Sequence, residues 1–183
     1  MRTYLLNMGL LAGLVGVAGC TVAGPAQSAP VVIRPTIVFI VRHAEKASPA
    51  APDPPLSAAG EQRALTLRDT LARFPVAAIY STNTGRTRAT AQPTAQAREL
   101  PPIIYDAGQL PALAARIRRQ YRIGQTVLIV GHSNTILETV EAFGVPRPVP
   151  SVGDQEYSYL LQVTLPVDST RGATVVARRY GMR

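Results

Sequence analysis

Two histidines, one cysteine and one lysine are all that this chain of 183 residues holds of those three types, and aromatic residues make up only 5% of it. Each scarcity narrows the reading. A single cysteine cannot close an internal disulfide. Sparse aromatics and dispersed arginines lack the basic stripe with stacking side chains that nucleic-acid binding requires, so no nucleic-acid partner is expected. The densest basic run, Arg116, Arg118, Arg119 and Arg122, reads as the solvated face of a helix. Acidic residues are also few, 11 against 19 Lys and Arg, for a net charge of +8. That balance argues against basic partners and leaves anionic ones, phosphorylated molecules above all, because guanidinium pairs bidentately with phosphate oxygens. With 46% hydrophobic residues, the chain can bury a core.

The position of the single cysteine is informative. Arg2 is followed by an apolar stretch from about Leu5 to Ala18, too short and too glycine-rich for a membrane span, and then by Val17-Ala18-Gly19-Cys20. Residues 1–19 read as an export signal. Its last residues resemble the bacterial lipobox, in which small residues precede a cysteine that is lipidated and becomes the mature N-terminus. The alternative is a signal cut near Ala23 or Ala29, with Cys20 incidental. Lipidation at Cys20 implies a membrane anchor in a bacterial cell envelope, facing the periplasm, and Thr21 after it favours the outer membrane leaflet over the inner. Residues 20–35, rich in Ala, Pro, Gly and Ser, read as a tether reaching at most about 50 Å. Residues 36–183 are then the folded domain.

Within that domain, strand and helix patterns alternate. Thr36–Val41 and Thr126–Val130 are continuous apolar runs of the kind buried on both faces of a parallel sheet. Ala44–Leu56 is proline-rich and reads as a loop. Ser57 offers an N-cap to a helix carrying Ala64, Leu67, Leu71 and Phe74 on its buried face, with Arg63, Arg68 and Arg73 away from the core. Val76–Tyr80 is a strand, a helix starts near Arg86, Ile103–Tyr105 is a weak strand, and Leu110–Tyr121 and Thr135–Phe143 are helices. Tyr157–Leu165 and Ala173–Tyr180 alternate more and form a hairpin around Asp168–Gly172. The fold class is α/β, a three-layer α/β/α sandwich whose mainly parallel sheet has this hairpin at its edge.

Both histidines close apolar runs, and ligands of open α/β sheets bind beyond the carboxyl ends of such strands. Arg42 and His43 stand at one strand end, Arg86 opens the helix after another, and His132 stands at a third. Two permanent cations, two imidazoles and the backbone donors near Arg86 and Ser133 form a pocket suited to phosphate. A zinc site would need a third ligand, and the neighbouring arginines repel cations.

Four motifs carry a resemblance. They are Arg42-His43-Ala44-Glu45; Leu56-Ser57-Ala58-Ala59-Gly60; Tyr80-Ser81 followed by Arg86-Thr87-Arg88-Ala89-Thr90-Ala91; and Gly131-His132-Ser133-Asn134, with Tyr180-Gly181 compatible at the end. In this order they resemble the histidine phosphatase superfamily, also called phosphoglycerate mutase-like. The resemblance implies that His43 attacks phosphorus and carries a phosphoryl group that water later removes. Arg42, Arg86 and His132 would hold the phosphoryl oxygens, Ser133 would add a phosphate contact, and no metal or cofactor would take part. Neutral imidazole is nucleophilic near neutral pH, and fixed cations stabilise charge on the equatorial oxygens.

The chain departs from the family at two places, Ala44 for the usual glycine and Ser133 where one branch has aspartate. An alkoxide leaving group also needs a carboxylic acid. Asp106, downstream of the second arginine, is the expected acid, with Glu45 and Glu99 as alternatives. The expected substrate is a phosphorylated small molecule or surface glycan, hydrolysed as a phosphomonoester. A phosphomutase, or a lipoprotein that binds a phosphorylated ligand without turnover, is the rival reading.

Overall fold

The computed structural model describes residues 34–48, 52–121, 124–168 and 170–181. The expected export signal, Cys20 and the expected tether as far as residue 33 lie outside them, as does Arg122. The chain runs β1 (Thr36–Arg42), α1 (Ala58–Leu71), β2 (Val76–Ser81), α2 (Gly85–Arg98), β3 (Ile103–Ile104), α3 (Leu110–Gln120), β4 (Thr126–Gly131), α4 (Ile136–Ala142), β5 (Tyr159–Leu165) and β6 (Thr174–Arg179). A single 3-10 turn, Ala107–Gln109, precedes α3.

The strands form one sheet in the order β3-β2-β4-β1-β5-β6. The first four in that order are parallel, and β5 and β6 run antiparallel beside β1 as the expected edge hairpin. Strands apolar at every position must be covered on both faces. Val38, Ile40, Val127 and Ile129 pack with Leu113 and Ile117 of α3 and Leu137 and Val140 of α4. Phe39, Val41, Leu128 and Val130 pack with Leu67 and Leu71 of α1 and Ala91 and Ala95 of α2. The result is the predicted three-layer sandwich.

The helices that follow the adjacent strands β1 and β4 thus leave to opposite faces of the sheet. That divergence opens a crevice at the strands' carboxyl ends.

Several boundaries differ from expectation. The last helix begins at Ile136 rather than Thr135, so Ser133 stands in the preceding turn, where the Thr135 Oγ1 accepts the His132 N–H. The first hairpin strand begins at Tyr159 rather than Tyr157, because the Tyr157 ring lies against the Arg42 guanidinium, 4.1 Å from its centroid. Arg63 is not turned outward. Its side chain is only 10% exposed, held by the Glu45 carboxylate.

The proline-rich loop is closed at its base by a bridge between Lys46 and Leu56 and by the Ala47 N–H donating to Pro55 O. The spacing of Leu56-Ser57-x-x-Gly60 has a mechanical origin here. The Ser57 N–H donates to Glu45 O, the Ser57 hydroxyl caps α1 by accepting the Gly60 N–H at 3.1 Å, and Gly60 leaves room for the Glu45 backbone. A Cβ at Gly60 would overlap the Glu45 carbonyl oxygen. Gly60→Ala is expected to cost about 1–3 kcal/mol, read as a fall in Tm. Gly172→Ala, whose added Cβ meets nothing within 4 Å, should melt with the wild type. Equal melting of all three proteins would show that the close approach is not what Gly60 serves.

Candidate active site

Parallel pairing of β1 with β4 sets Arg42 opposite Gly131, so the next residues, His43 and His132, emerge side by side. The His43 N–H donates to Gly131 O at 2.9 Å and prolongs the register by one step. The two rings meet edge to face, 5.4 Å between centroids. With Arg42 and Arg86 they line an open cavity of about 400 Å³, whose rim carries Lys46, Thr84, Ser133, Asn134 and Asp154. The structure therefore brings together five of the expected residues: Arg42, His43, Arg86, His132 and Ser133.

His43 is 4% exposed. Its Nδ1 lies 2.8 Å from the Ala44 carbonyl, which can only accept, so Nδ1 carries the hydrogen and Nε2 keeps its lone pair. Burial pushes the imidazole down from 6.5 to about 4, and the Arg42 and Arg86 guanidiniums and His132 push the same way against the Ala44 carbonyl. Near neutral pH His43 is thus an uncharged base with a free ring nitrogen.

His132 is polarised oppositely. The Thr82 hydroxyl donates to Thr87 Oγ1 at 3.0 Å, so it accepts from the His132 Nε2–H at 2.9 Å. That leaves the Nδ1 lone pair facing the Arg86 Nη2, 3.5 Å away. Burial lowers its pKa first, then Arg86 and Arg42, with Asp53 opposing.

The arginines are held by what surrounds them. Arg42 Nη1 donates to the carbonyls of Gly153, Asp154 and Glu156 at 2.9, 3.0 and 3.4 Å, while its buried Nε has no partner among the described residues. A buried donor without an acceptor is costly. Arg86 Nη1 pairs with Asp53 Oδ1 at 3.0 Å, and Asp53 Oδ2 accepts the Gly85 N–H at the start of α2 at 2.7 Å. The Gly85 amide and then the Arg86 guanidinium hold the Asp53 carboxyl below its usual range. Asp53 sits in the proline-rich loop and carried no distinctive signal in the sequence.

Asp106 does not join this group. It caps the 3-10 turn, accepting the Gly108 N–H at 2.8 Å, and lines a separate depression with Tyr105 and Gln109. Glu99 ends α2 in a left-handed conformation, about 20 Å along the helix from Arg86. Glu45 follows His43 closely in sequence, yet both its oxygens pair with Arg63, at 2.8 and 2.9 Å from Nε. Burial alone would raise its pKa, but Arg63 brings the carboxyl below its usual range. Sequence reading missed Thr82, Thr87, Asp53, Tyr157 and the segment 153–156, because contacts distant along the chain assemble them.

No group of three or more His, Cys, Asp or Glu able to hold a metal occurs among the described residues. No helix among them is long and apolar enough to cross a membrane.

The family model of the histidine phosphatase superfamily (branch 1) matches residues 38–108, a span that holds Arg42, His43 and Arg86. No curated protein matches the chain. Among solved structures, the chain is similar to the protein histidine phosphatase SixA complexed with tungstate, with 21% identity, TM-score 0.62, and coverage of 79% of this chain and 96% of that one. It is similar to YhfR of Bacillus stearothermophilus at 20% identity and TM-score 0.60, covering 78% and 96%. A mycobacterial glucosyl-3-phosphoglycerate phosphatase matches at 14% identity and TM-score 0.61, covering 80% and 99%. At these identities the likeness is one of fold. The family model thus bears on the segment from β1 to the turn before α3, and the solved structures bear on the fold.

A His43 imidazole titrating near 4 has a measurable consequence. The folded value lies below the ordinary 6.5, so an unfolded chain takes up the proton first. The contribution is fully present above pH 6.5, and the fold loses it as pH falls from there towards 4. An NMR titration should find the His43 ring neutral down to about pH 5 with a midpoint near 4. A midpoint at or above 6 would contradict this electrostatic description.

Proposed function

We propose that the chain is a metal-independent phosphomonoester hydrolase of the histidine phosphatase superfamily, working through a phosphohistidine on His43. The observation that carries this reading is the buried His43 ring, anchored through Nδ1 so that a neutral Nε2 faces a crevice lined by two arginines.

In this reading the substrate's phosphoryl group occupies that crevice. Nε2 of His43 forms a bond to phosphorus as the bond to the leaving oxygen breaks. Arg42 and Arg86, which line the cavity, neutralise the equatorial oxygens, where charge accumulates. His132, with its Nδ1 towards Arg86, takes up a proton as the anion arrives and becomes a further donor, while Ser133 at the rim adds a polar contact. Water then attacks the phosphohistidine from the open side, releasing phosphate and restoring the neutral ring. Asp106 has no place in this sequence of events, since it lines another depression.

The substrate is a phosphorylated small molecule or a phosphorylated surface glycan. The open cavity supports this, as do the solved structures whose names specify small phosphate esters, an alpha-ribazole-5'-phosphate and a glucosyl-3-phosphoglycerate. The export signal and Cys20 support a lipid-anchored location in the cell envelope, where such phosphomonoesters would be the accessible pool.

Hydrolysis of p-nitrophenyl phosphate by the full chain with chelator present tests the reading. Turnover should resist the chelator, fall about 10⁴-fold or more in His43→Ala, and fall about 10²- to 10³-fold in Arg86→Ala. A folded wild-type protein that binds inorganic phosphate without turnover would instead favour a binding protein for phosphorylated ligands.

A further inference from the structure

The hydrolysis proposed above needs a group that moves a proton at the leaving oxygen, and the carboxylates near the histidines and the expected Asp106 are held elsewhere. Glu45 is clasped by Arg63, Asp53 by Arg86 and the Gly85 amide, and Asp106 lies in another depression. Among the described residues that line the crevice, a single carboxylate remains, Asp154. Resting on the phosphatase reading, we propose that Asp154 is the proton-transfer group of the reaction.

The geometry favours it on three counts. First, Asp154 is exposed and lines the mouth of the crevice. Second, its side chain makes no hydrogen bond or ion pair with any described residue, and the Arg42 guanidinium acts on it only at a distance. Third, its backbone is held firmly. The turn Gly153–Glu156 is closed by the Glu156 N–H donating to Gly153 O at 3.0 Å and by the Gly153 N–H donating to Glu156 Oε2 at 2.8 Å. Arg179 of β6 clamps the other oxygen of Glu156 at 3.0 Å.

The same turn also presents the Gly153 and Asp154 carbonyls to Arg42 Nη1. The guanidinium that grips the phosphoryl group and the carboxyl at the rim therefore belong to one rigid unit. Their relative position is set before substrate arrives.

The step balances. A phosphomonoester, whose second ionisation lies near pH 6, brings a proton that passes to the Asp154 carboxylate. As His43 Nε2 bonds to phosphorus and the ester oxygen leaves, the Asp154 carboxyl gives that oxygen its proton. The resulting carboxylate then takes a proton from the water whose oxygen bonds to phosphorus as the Nε2–P bond breaks. The carboxyl is restored and no redox change occurs.

Dependence on the leaving group tests this. The rate constant kcat/KM is measured for the full chain, and for its Asp154→Asn and Asp154→Glu variants, across phosphomonoesters from alkyl through phenyl to 2,4-dinitrophenyl. Wild type should vary little with leaving-group acidity. Asp154→Asn should lose about 10²-fold or more with alkyl esters, least with the dinitrophenyl ester, and so show a steeper dependence. Asp154→Glu, which keeps the carboxyl, should recover part of the alkyl activity. Equal losses for every ester would assign Asp154 to binding or to the turn and overturn the proposal, as would unchanged kinetics. If the wild type fails even with the dinitrophenyl ester, the phosphatase reading falls and the role of Asp154 falls with it.

Discussion

The parallel pairing of β1 with β4 is the constraint from which the candidate site follows. Because Arg42 faces Gly131 across the two strands, each histidine begins where its strand stops, and the amide of His43 reaches back to the carbonyl of Gly131. A slip of one residue would turn the side chains of one strand to the opposite layer. It would separate the rings and expose Val38, Phe39, Ile40 and Val41 to the wrong helices. The burial of these side chains at 0–1% exposure therefore enforces the geometry of the candidate site as well as the core. Gly131 adds a local requirement, since a Cβ there would stand 2.9 Å from the Tyr105 hydroxyl oxygen.

Charge near the crevice is managed by neighbours rather than by solvent. Desolvating an arginine is costly unless its donors find acceptors. Arg42 meets this by donating to three carbonyls of segment 153–156 and by stacking on Tyr157. Arg86 meets it through Asp53, which the proline-rich loop lays across the first turn of α2, and Arg63 through Glu45. Each device fixes one side of a guanidinium. For Arg42 the Nε donor is left buried without a partner among the described residues.

The same arrangement gives two histidines unlike roles. Both are kept neutral by burial and by the arginines, yet the backbone carbonyl of Ala44 takes the Nδ1 hydrogen of one and the Thr82 hydroxyl takes the Nε2 hydrogen of the other. One ring is left with a nucleophilic Nε2 and the other with an Nδ1 that can accept a proton beside Arg86. The hydroxyl relay through Thr82 and Thr87 matters because it sets which nitrogen of His132 faces the crevice.

Much of this was legible in residues adjacent along the chain. The apolar runs of β1 and β4 dictated strands buried on both faces, and their terminal histidines marked the crevice. The spacing Leu56-Ser57-x-x-Gly60 marked a capped helix under a close backbone approach, because such patterns report forces acting within a few residues. The carboxylates were not legible in this way. Glu45 close to His43, Asp106 after the second arginine, and Asp53 and Asp154 in polar loops look alike in sequence. Pairing with Arg63, capping of Gly108, a bridge to Gly85 and Arg86, and exposure at the rim are what separate them. Sequence determined which strands form and where they end, since hydrophobic periodicity is local. Only the tertiary structure decided which carboxylate stays free, since that depends on where each loop meets an arginine distant along the chain.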